Sequence, residues 1–212
     1  MIHLFLVRHG RTDSNEEQRL CGHQDIPLND EGYRQAKLLG KALADLKLDW
    51  VYTSDLSRAH ETAFQLLLQR EEPFKQITYT SLLREMDFGP WEGKTLAETG
   101  YGQASRYSHF FGLDGGEKPQ DVDRRARQFL QMIVTLHPNQ YIMAVAHGFF
   151  NCCLTAALLG DDLTPETLRP QMNTSVNYFL LENDGRLMAS KLNTISHLVE
   201  GSKHWIYEFP SF

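Results

Sequence analysis

The stretch that most constrains this 212-residue chain lies near its start, where Leu4-Phe5-Leu6-Val7 gives way to Arg8-His9-Gly10-Arg11-Thr12. Four successive apolar residues read as a buried strand, and the glycine ends it. Such a strand delivers its last side chains to the carboxyl edge of a sheet, where open α/β folds bind ligands. Two arginines flanking a histidine suit an anion, because a guanidinium fork grips phosphate oxygens in pairs. They also disfavour the protonated imidazole, and a neutral imidazole is a nucleophile. The competing reading is a solvated basic strand end, and the rest of the chain decides between the two.

That local positive charge stands on an acidic background, with 21 Lys and Arg against 27 Asp and Glu. The balance argues against nucleic acid or an anionic membrane as main partner, and for a small anionic substrate. Cys21, Cys152 and Cys153 make no disulfide framework, since adjacent cysteines bridge only with strain and the count is odd. The opening apolar run is too short for a signal-peptide core, and no stretch reaches membrane-spanning length. A cytoplasmic protein with reduced thiols is expected.

Apolar residues at Ala36, Leu39, Leu43 and Leu46 predict a helix capped by Asn29 or Asp30, after a polar loop from Asp13 to Arg19. Trp50-Val51-Tyr52-Thr53 reads as the second strand. It leads to a helix capped by Ser54 or Asp55, with Arg58 in its first turn, running to about Gln69. Gln76 to Thr80 is a short strand. Val122, Ala126, Phe129, Ile133 and Leu136 mark one face of an amphipathic helix, and Tyr141 to Ala146 is a strand that ends in His147-Gly148. Val176 to Leu181 and Leu187 to Leu192 flank Glu182-Asn183-Asp184-Gly185, a hairpin signal. Strands alternating with helices predict a three-layer α/β/α sandwich with a mostly parallel sheet and an antiparallel edge strand. Residues 1–212 are expected to form a single domain, with a lid-like segment at about 94–118.

Three strand ends thus present Arg8-His9, Arg58 and His147, and in an open sheet such ends lie along one crevice. Cationic groups converging there would repel one another unless an anion filled the mouth. Together with Ser54-Asp55-Leu56-Ser57-Arg58-Ala59, Glu85 through Trp91-Glu92-Gly93, and Ala146-His147-Gly148, the first block resembles the histidine phosphatase superfamily. The branch is the one that holds the cofactor-dependent phosphoglycerate mutases and related small phosphatases. The blocks span residues 4 to 148, and Asn173-Thr174-Ser175-Val176 and Leu192-Asn193 to His197-Leu198 resemble the tails of the phosphatase members.

The resemblance implies a role for each matching residue. His9 matches the nucleophile that becomes a phosphohistidine. Arg8, Arg58 and His147 match the pocket that holds the phosphate oxygens, with Gly148 beside them. Glu85 matches the proton donor to the leaving group, later the base for water. Asn15 and Gln24 fall where the family places further phosphate contacts. No metal and no cofactor is implied, since arginines can supply the charge that Mg²⁺ supplies elsewhere. Asp87 and Glu92 are rival acids, and a surface pair of Glu85 with Arg84 is the competing structural reading. The apolar neighbours Phe88 and Trp91 would partly bury Glu85.

The mutases carry a longer basic insertion after the Glu85 block. Here Leu96 to Gly116 is short and aromatic, reading Tyr107-Ser108-His109-Phe110-Phe111, with Lys94 and Arg106 its basic residues. A phosphatase acting on a small phosphorylated metabolite is therefore favoured over a mutase, and over a phosphate-binding module without turnover. Departures from the phosphatases occur at Cys21, at Lys118 and at Phe149-Phe150-Asn151-Cys152. No metal-ligand spacing appears among the nine histidines, so His3, His23, His60, His109, His137 and His204 read as surface or partly buried. Cys152-Cys153 read as core, and Arg124, Arg125 and Arg127 as a solvated helix face. A homodimer is permitted but not demanded.

Overall fold

The structure is a computed structural model that describes residues 1–99, 108–112 and 114–199. Arg106, Tyr107, His204 and the side chain of His109 lie outside the described residues, as does the middle of the expected lid. Six strands form one sheet: β1 (Ile2–Arg8), β2 (Trp50–Ser54), β3 (Ile77–Thr80), β4 (Tyr141–Ala146), β5 (Val176–Leu181) and β6 (Leu187–Thr194). Their order is β3-β2-β4-β1-β5-β6. The first four are parallel, and β5 runs antiparallel to both β1 and β6. The hairpin thus adds the antiparallel edge that its turn sequence predicts.

Period-two alternation sorts each central strand between two cores. Leu4, Leu6, Ile142, Ala144 and Ala146 join one, with residues of α4 (Pro119–Leu136) and α5 (Gly148–Leu159). Phe5, Val7, Met143 and Val145 join the other, with α2 (Asp30–Ala42) and α3 (Ser57–Leu67). Helices therefore cover both faces, which gives the three-layer α/β/α sandwich. Among the described residues no helix is long and apolar enough to cross a membrane.

Several local expectations change. Asp13–Glu16 is a short helix, α1, rather than loop, because Thr12 and Asn15 cap each other. Leu43 and Leu46 lie beyond the end of α2 but remain buried. Neither Ser54 nor Asp55 caps α3. The carboxylate of Asp25 accepts from Ser57 N (2.7 Å) and Oγ (2.8 Å), supplying the cap from a distant loop. Leu136 is 60% exposed, since α4 ends there and its last turn overhangs the core. His137 is buried, with Nε2 2.7 Å from the Tyr52 hydroxyl. Cys152 and Cys153 are buried thiols packed in the α4/α5 core, that of Cys152 donating to the Arg169 carbonyl.

Candidate active site

The order β2-β4-β1 sets side by side the three strands whose ends carry the charged residues. Arg8 pairs with Ala146 across β1 and β4, and Thr53 with Val145 across β2 and β4, so the ends stand level. Because β5 is antiparallel, its start lies at the same edge and braces it. Ser175 O accepts from Arg8 N (3.1 Å), Thr174 N donates to Arg8 O (3.1 Å), and Asn173 Nδ2 donates to His9 O (3.1 Å).

A cavity of about 170 Å³ opens at this edge. Arg8, His9, Asn15, Arg58, Glu85 and Gly148 all line it. His147 is fully buried, its ring centroid 5.1 Å from that of His9. Gln24 does not line the cavity. Its side chain is exposed, and its carbonyl accepts from Arg58 Nη1 (2.8 Å).

His9 is 3% exposed, and its Nδ1 lies 2.6 Å from the Gly10 carbonyl. That bond fixes Nδ1 as the protonated nitrogen and leaves the lone pair on Nε2. Burial first, then the guanidinium groups of Arg58 and Arg8, holds the imidazole well below the usual histidine range. The depression expected from the flanking arginines is thus present with a different main cause, and Arg11 has no part in it. His147 is lowered likewise, by burial and then by Arg58 and His9, and neither of its ring nitrogens has a partner among the described residues.

Arg58 is 1% exposed. Its Nη1 and Nη2 donate to the carbonyls of Gln24 and Gly22, each at 2.8 Å. Arg8 Nη1 donates to the Gln171 carbonyl (2.6 Å). Backbone carbonyls thus hold both guanidinium groups at the edge of the cavity. Asn15 Oδ1 accepts from Thr12 N (3.3 Å) and Asn173 Nδ2 (3.1 Å), which leaves its amide NH₂ to the cavity.

Glu85 is not paired with Arg84, which instead makes a two-pronged bond to Asp55 at 2.7 Å. The Glu85 carboxylate sits on the N-terminus of α5, where free N–H groups and the helix dipole favour an anion. Its Oε1 accepts from Met86 N, Phe149 N and Phe150 N, and Oε2 from Phe149 N alone, all at 3.1 Å. Oε2 therefore keeps acceptor capacity. The rival carboxylates are occupied elsewhere: Glu92 binds the amides of His23, Gln24 and Phe88, and Asp87 that of Gly89. Among the described residues Glu85 is the one carboxylate lining the cavity. Phe88 lines it too, whereas Trp91 lies under Lys94, whose Nζ is 4.8 Å from the ring centroid.

Three contributors were not legible as such. Glu92 folds the loop that holds Arg58, Gln171 holds Arg8, and Arg125 is not on a solvated face but 14% exposed against Glu117. The Arg58 loop, the Arg8 side chain and the main chain at Glu85 that they hold lie 40 or more residues from them in sequence, and no local pattern marks them.

Residues 4–194 match the sequence model of the histidine phosphatase superfamily (branch 1). Phosphoserine phosphatase 1 of Hydrogenobacter thermophilus is 30% identical over 206 residues, covering 94% of this chain and 96% of that protein. The 2,3-bisphosphoglycerate-dependent phosphoglycerate mutase of Brucella ovis is 32% identical over 201 residues, covering 89% and 96%. The solved structure of Bacillus stearothermophilus YhfR has a TM-score of 0.82 at 33% identity, over 94% of this chain and 100% of that one. The chain belongs to the histidine phosphatase superfamily, whose members work through a phosphohistidine.

Proposed function

We propose that this enzyme hydrolyses phosphomonoesters of small metabolites through a phosphohistidine on His9, without metal or cofactor. The observation that carries the reading is the geometry of His9, with Nδ1 bonded to the Gly10 carbonyl and Nε2 open, in one cavity with Arg8, Arg58 and Glu85, where burial and the two arginines disfavour its protonated form. The Nε2 lone pair attacks phosphorus as the ester P–O bond breaks, and Glu85 Oε2 gives its proton to the departing oxygen. Water then attacks the phosphohistidine, loses a proton to Glu85, and frees phosphate and His9. Arg8, Arg58 and His147 hold the phosphoryl oxygens, with Asn15 as a further donor. Gln24 acts through its carbonyl on Arg58, and its side chain would have to turn inward to touch phosphate.

Leu20, Phe88, Leu96, Phe110 and Phe149 give the cavity an apolar wall, beside Arg19, Cys21, Gly22 and Gln171. They suit a leaving group with an apolar body. Lys94, over Trp91, and Lys118, on Asp114, do not line the cavity, and Arg19, which does, is tied to Glu17 and the Gly93 carbonyl, which favours hydrolysis over a mutase's anionic cofactor. Relatives of the mutase kind keep that second activity as the alternative.

The test is phosphate release from a panel of phosphomonoesters in chelator, wild type beside His9→Ala. Release by the wild type and a fall of ~10⁴-fold or more in the variant, the scale of losing a covalent nucleophile, is expected. Because His9 is held neutral, the acid limb of kcat/KM due to it lies well below pH 6.5. Loss of activity in chelator, or a His9→Ala variant as active as wild type, overturns the scheme. Release of nothing, with phosphoglycerates interconverted in the presence of bisphosphoglycerate, assigns a mutase.

A further inference from the structure

The backbone carbonyl of Glu85 is gripped from two sides. Arg125 Nη2 and His23 Nε2 each donate to it at 2.9 Å, from α4 and from the loop after α1. Arg125 Nη1 also donates to the carbonyls of Leu82 (2.9 Å) and Arg84. Its Nε and Nη2 reach the two Glu117 oxygens at 2.8 and 3.0 Å. Glu117 is stitched in turn to the acid's loop, its amide donating to Asp87 O (2.8 Å) and its Oε2 accepting from Asp87 N (3.2 Å). The guanidinium carbon lies 5.3 Å from the ring centroid of Phe150, whose amide binds the Glu85 carboxylate. One planar cation therefore touches both the loop that carries the acid and the helix end that receives it.

A largely buried ion pair adds little net stability, because desolvation offsets the attraction. What a guanidinium supplies is rigid geometry: nitrogens in a fixed fork, all three of them engaged here. We propose that Arg125, held by Glu117, is a positioning residue that fixes the main chain at Glu85 and so sets the proton donor against the leaving-group oxygen. This rests on the reading of Glu85 as general acid.

A residue that acts through the acid matters in proportion to how much the leaving group needs a proton. 4-Nitrophenolate departs without one, and the alkoxide of 2-phenylethyl phosphate does not. The experiment is kcat/KM on these two esters for wild type, Glu85→Gln, Arg125→Met, Arg125→Lys and Glu117→Gln. Glu85→Gln is expected to lose ~10²-fold or more on the alkyl ester and much less on the aryl ester. Arg125→Met follows the same pattern, at ~10-fold to 10²-fold on the alkyl ester, the scale of a misplaced catalytic group. Arg125→Lys keeps the charge without the fork and does not restore the alkyl rate, while Glu117→Gln loses several-fold in the same direction. Equal losses on both esters in the Arg125 variants overturn the proposal, since a merely structural role lowers both alike. If Arg125→Met does not fold, Arg125→Lys and Glu117→Gln decide by the same ratio. A Glu85→Gln variant whose loss is equal on both esters removes the general-acid reading itself, a separate failure.

Discussion

The two halves of the site are built by different means. The phosphate half, Arg8, His9, Arg58 and His147, stands at the level ends of three adjacent strands or in the first turn of the following helix. Its supports are sheet ladders and the start of β5. The acid half is an irregular segment around single 3-10 turns at Ser81–Leu83 and Gly89–Trp91, with Glu85 between them. Side chains binding backbone groups hold it: Arg125 and His23 on the Glu85 carbonyl, Glu92 on the amide of Phe88. The nucleophile and its cations thus rest on a cooperative sheet, and the proton donor on a set of individually removable contacts. Damage to the first half should cost both the fold and all substrates. Damage to the second should cost the substrates that need a proton.

Glu92 is the place to break that division, because it joins the halves. Its carboxylate accepts from His23 N (2.6 Å) and Gln24 N (3.1 Å) on the Arg58 loop, and from Phe88 N (3.3 Å) on the acid loop. Gly22, at φ +51°, opens that loop and packs so close that a Cβ would lie 1.9 Å from Glu92 Oε1. Glu92→Ala strands the amides of His23 and Phe88, while Gln24 N keeps the Cys21 carbonyl, and is expected to cost about 2–4 kcal/mol in urea unfolding, from two bonds to a charged acceptor. It should also lower kcat/KM on aryl and alkyl esters alike. A loss confined to alkyl esters would put Glu92 in the acid half alone.

The same division explains what the sequence reveals. A buried strand ending in Arg-His-Gly, and a second ending in His147-Gly148, mark the phosphate half through local pattern alone. The largely parallel sheet follows from strands alternating with helices. The acid half carries no period, so Glu85 is legible only by resemblance of its block. Asp25 capping α3 and Arg125 reaching Leu82 join positions 32 and 43 residues apart, and nothing in either local sequence announces the partner. Arg125 itself sits among Arg124 and Arg127, which do face outward with Asp121 and Asp123, so composition masks it.

His197 sharpens the comparison from behind the phosphate half. It is 5% exposed, and its Nε2 lies 3.0 Å from Thr174 Oγ1. The backbone N–H of Thr174 binds the carbonyls of Arg8 and His9. Burial lowers His197 from 6.5 to about 4. As pH falls, the unfolded chain takes the proton first, near 6.5, so stability is full above that value and declines until about pH 4. The interval corresponds to about 3 kcal/mol. His9 and His147 lose stability in the same direction, but they are common to wild type and a His197→Asn variant. Urea unfolding from pH 8 to 4 should therefore show a shallower decline for the variant. Parallel curves for the two proteins would mean that His197 takes no part in the acid sensitivity.

The smallest effect tests why the phosphate half is rigid. Thr62 on α3 is fully buried, and its hydroxyl accepts from Gly10 N (2.9 Å) while donating to the Arg58 carbonyl (2.6 Å). The Gly10 carbonyl, one peptide further on, is what fixes Nδ1 of His9. Thr62 thus ties the helix that carries one phosphate ligand to the turn that orients the nucleophile. Thr62→Val keeps the shape but leaves a buried N–H without its acceptor, a loss of about 1–3 kcal/mol. In a chain of this size that lowers Tm by roughly 2–4 °C per kcal/mol. Thr62→Ser retains the hydroxyl and should stay closer to wild type in both Tm and kcat/KM. Because the tie lies in the phosphate half, the Val variant should lose the same modest factor on aryl and alkyl esters. An alkyl-selective loss would show that the strand-end half also steers the proton, and that the two halves are less separable than their construction implies.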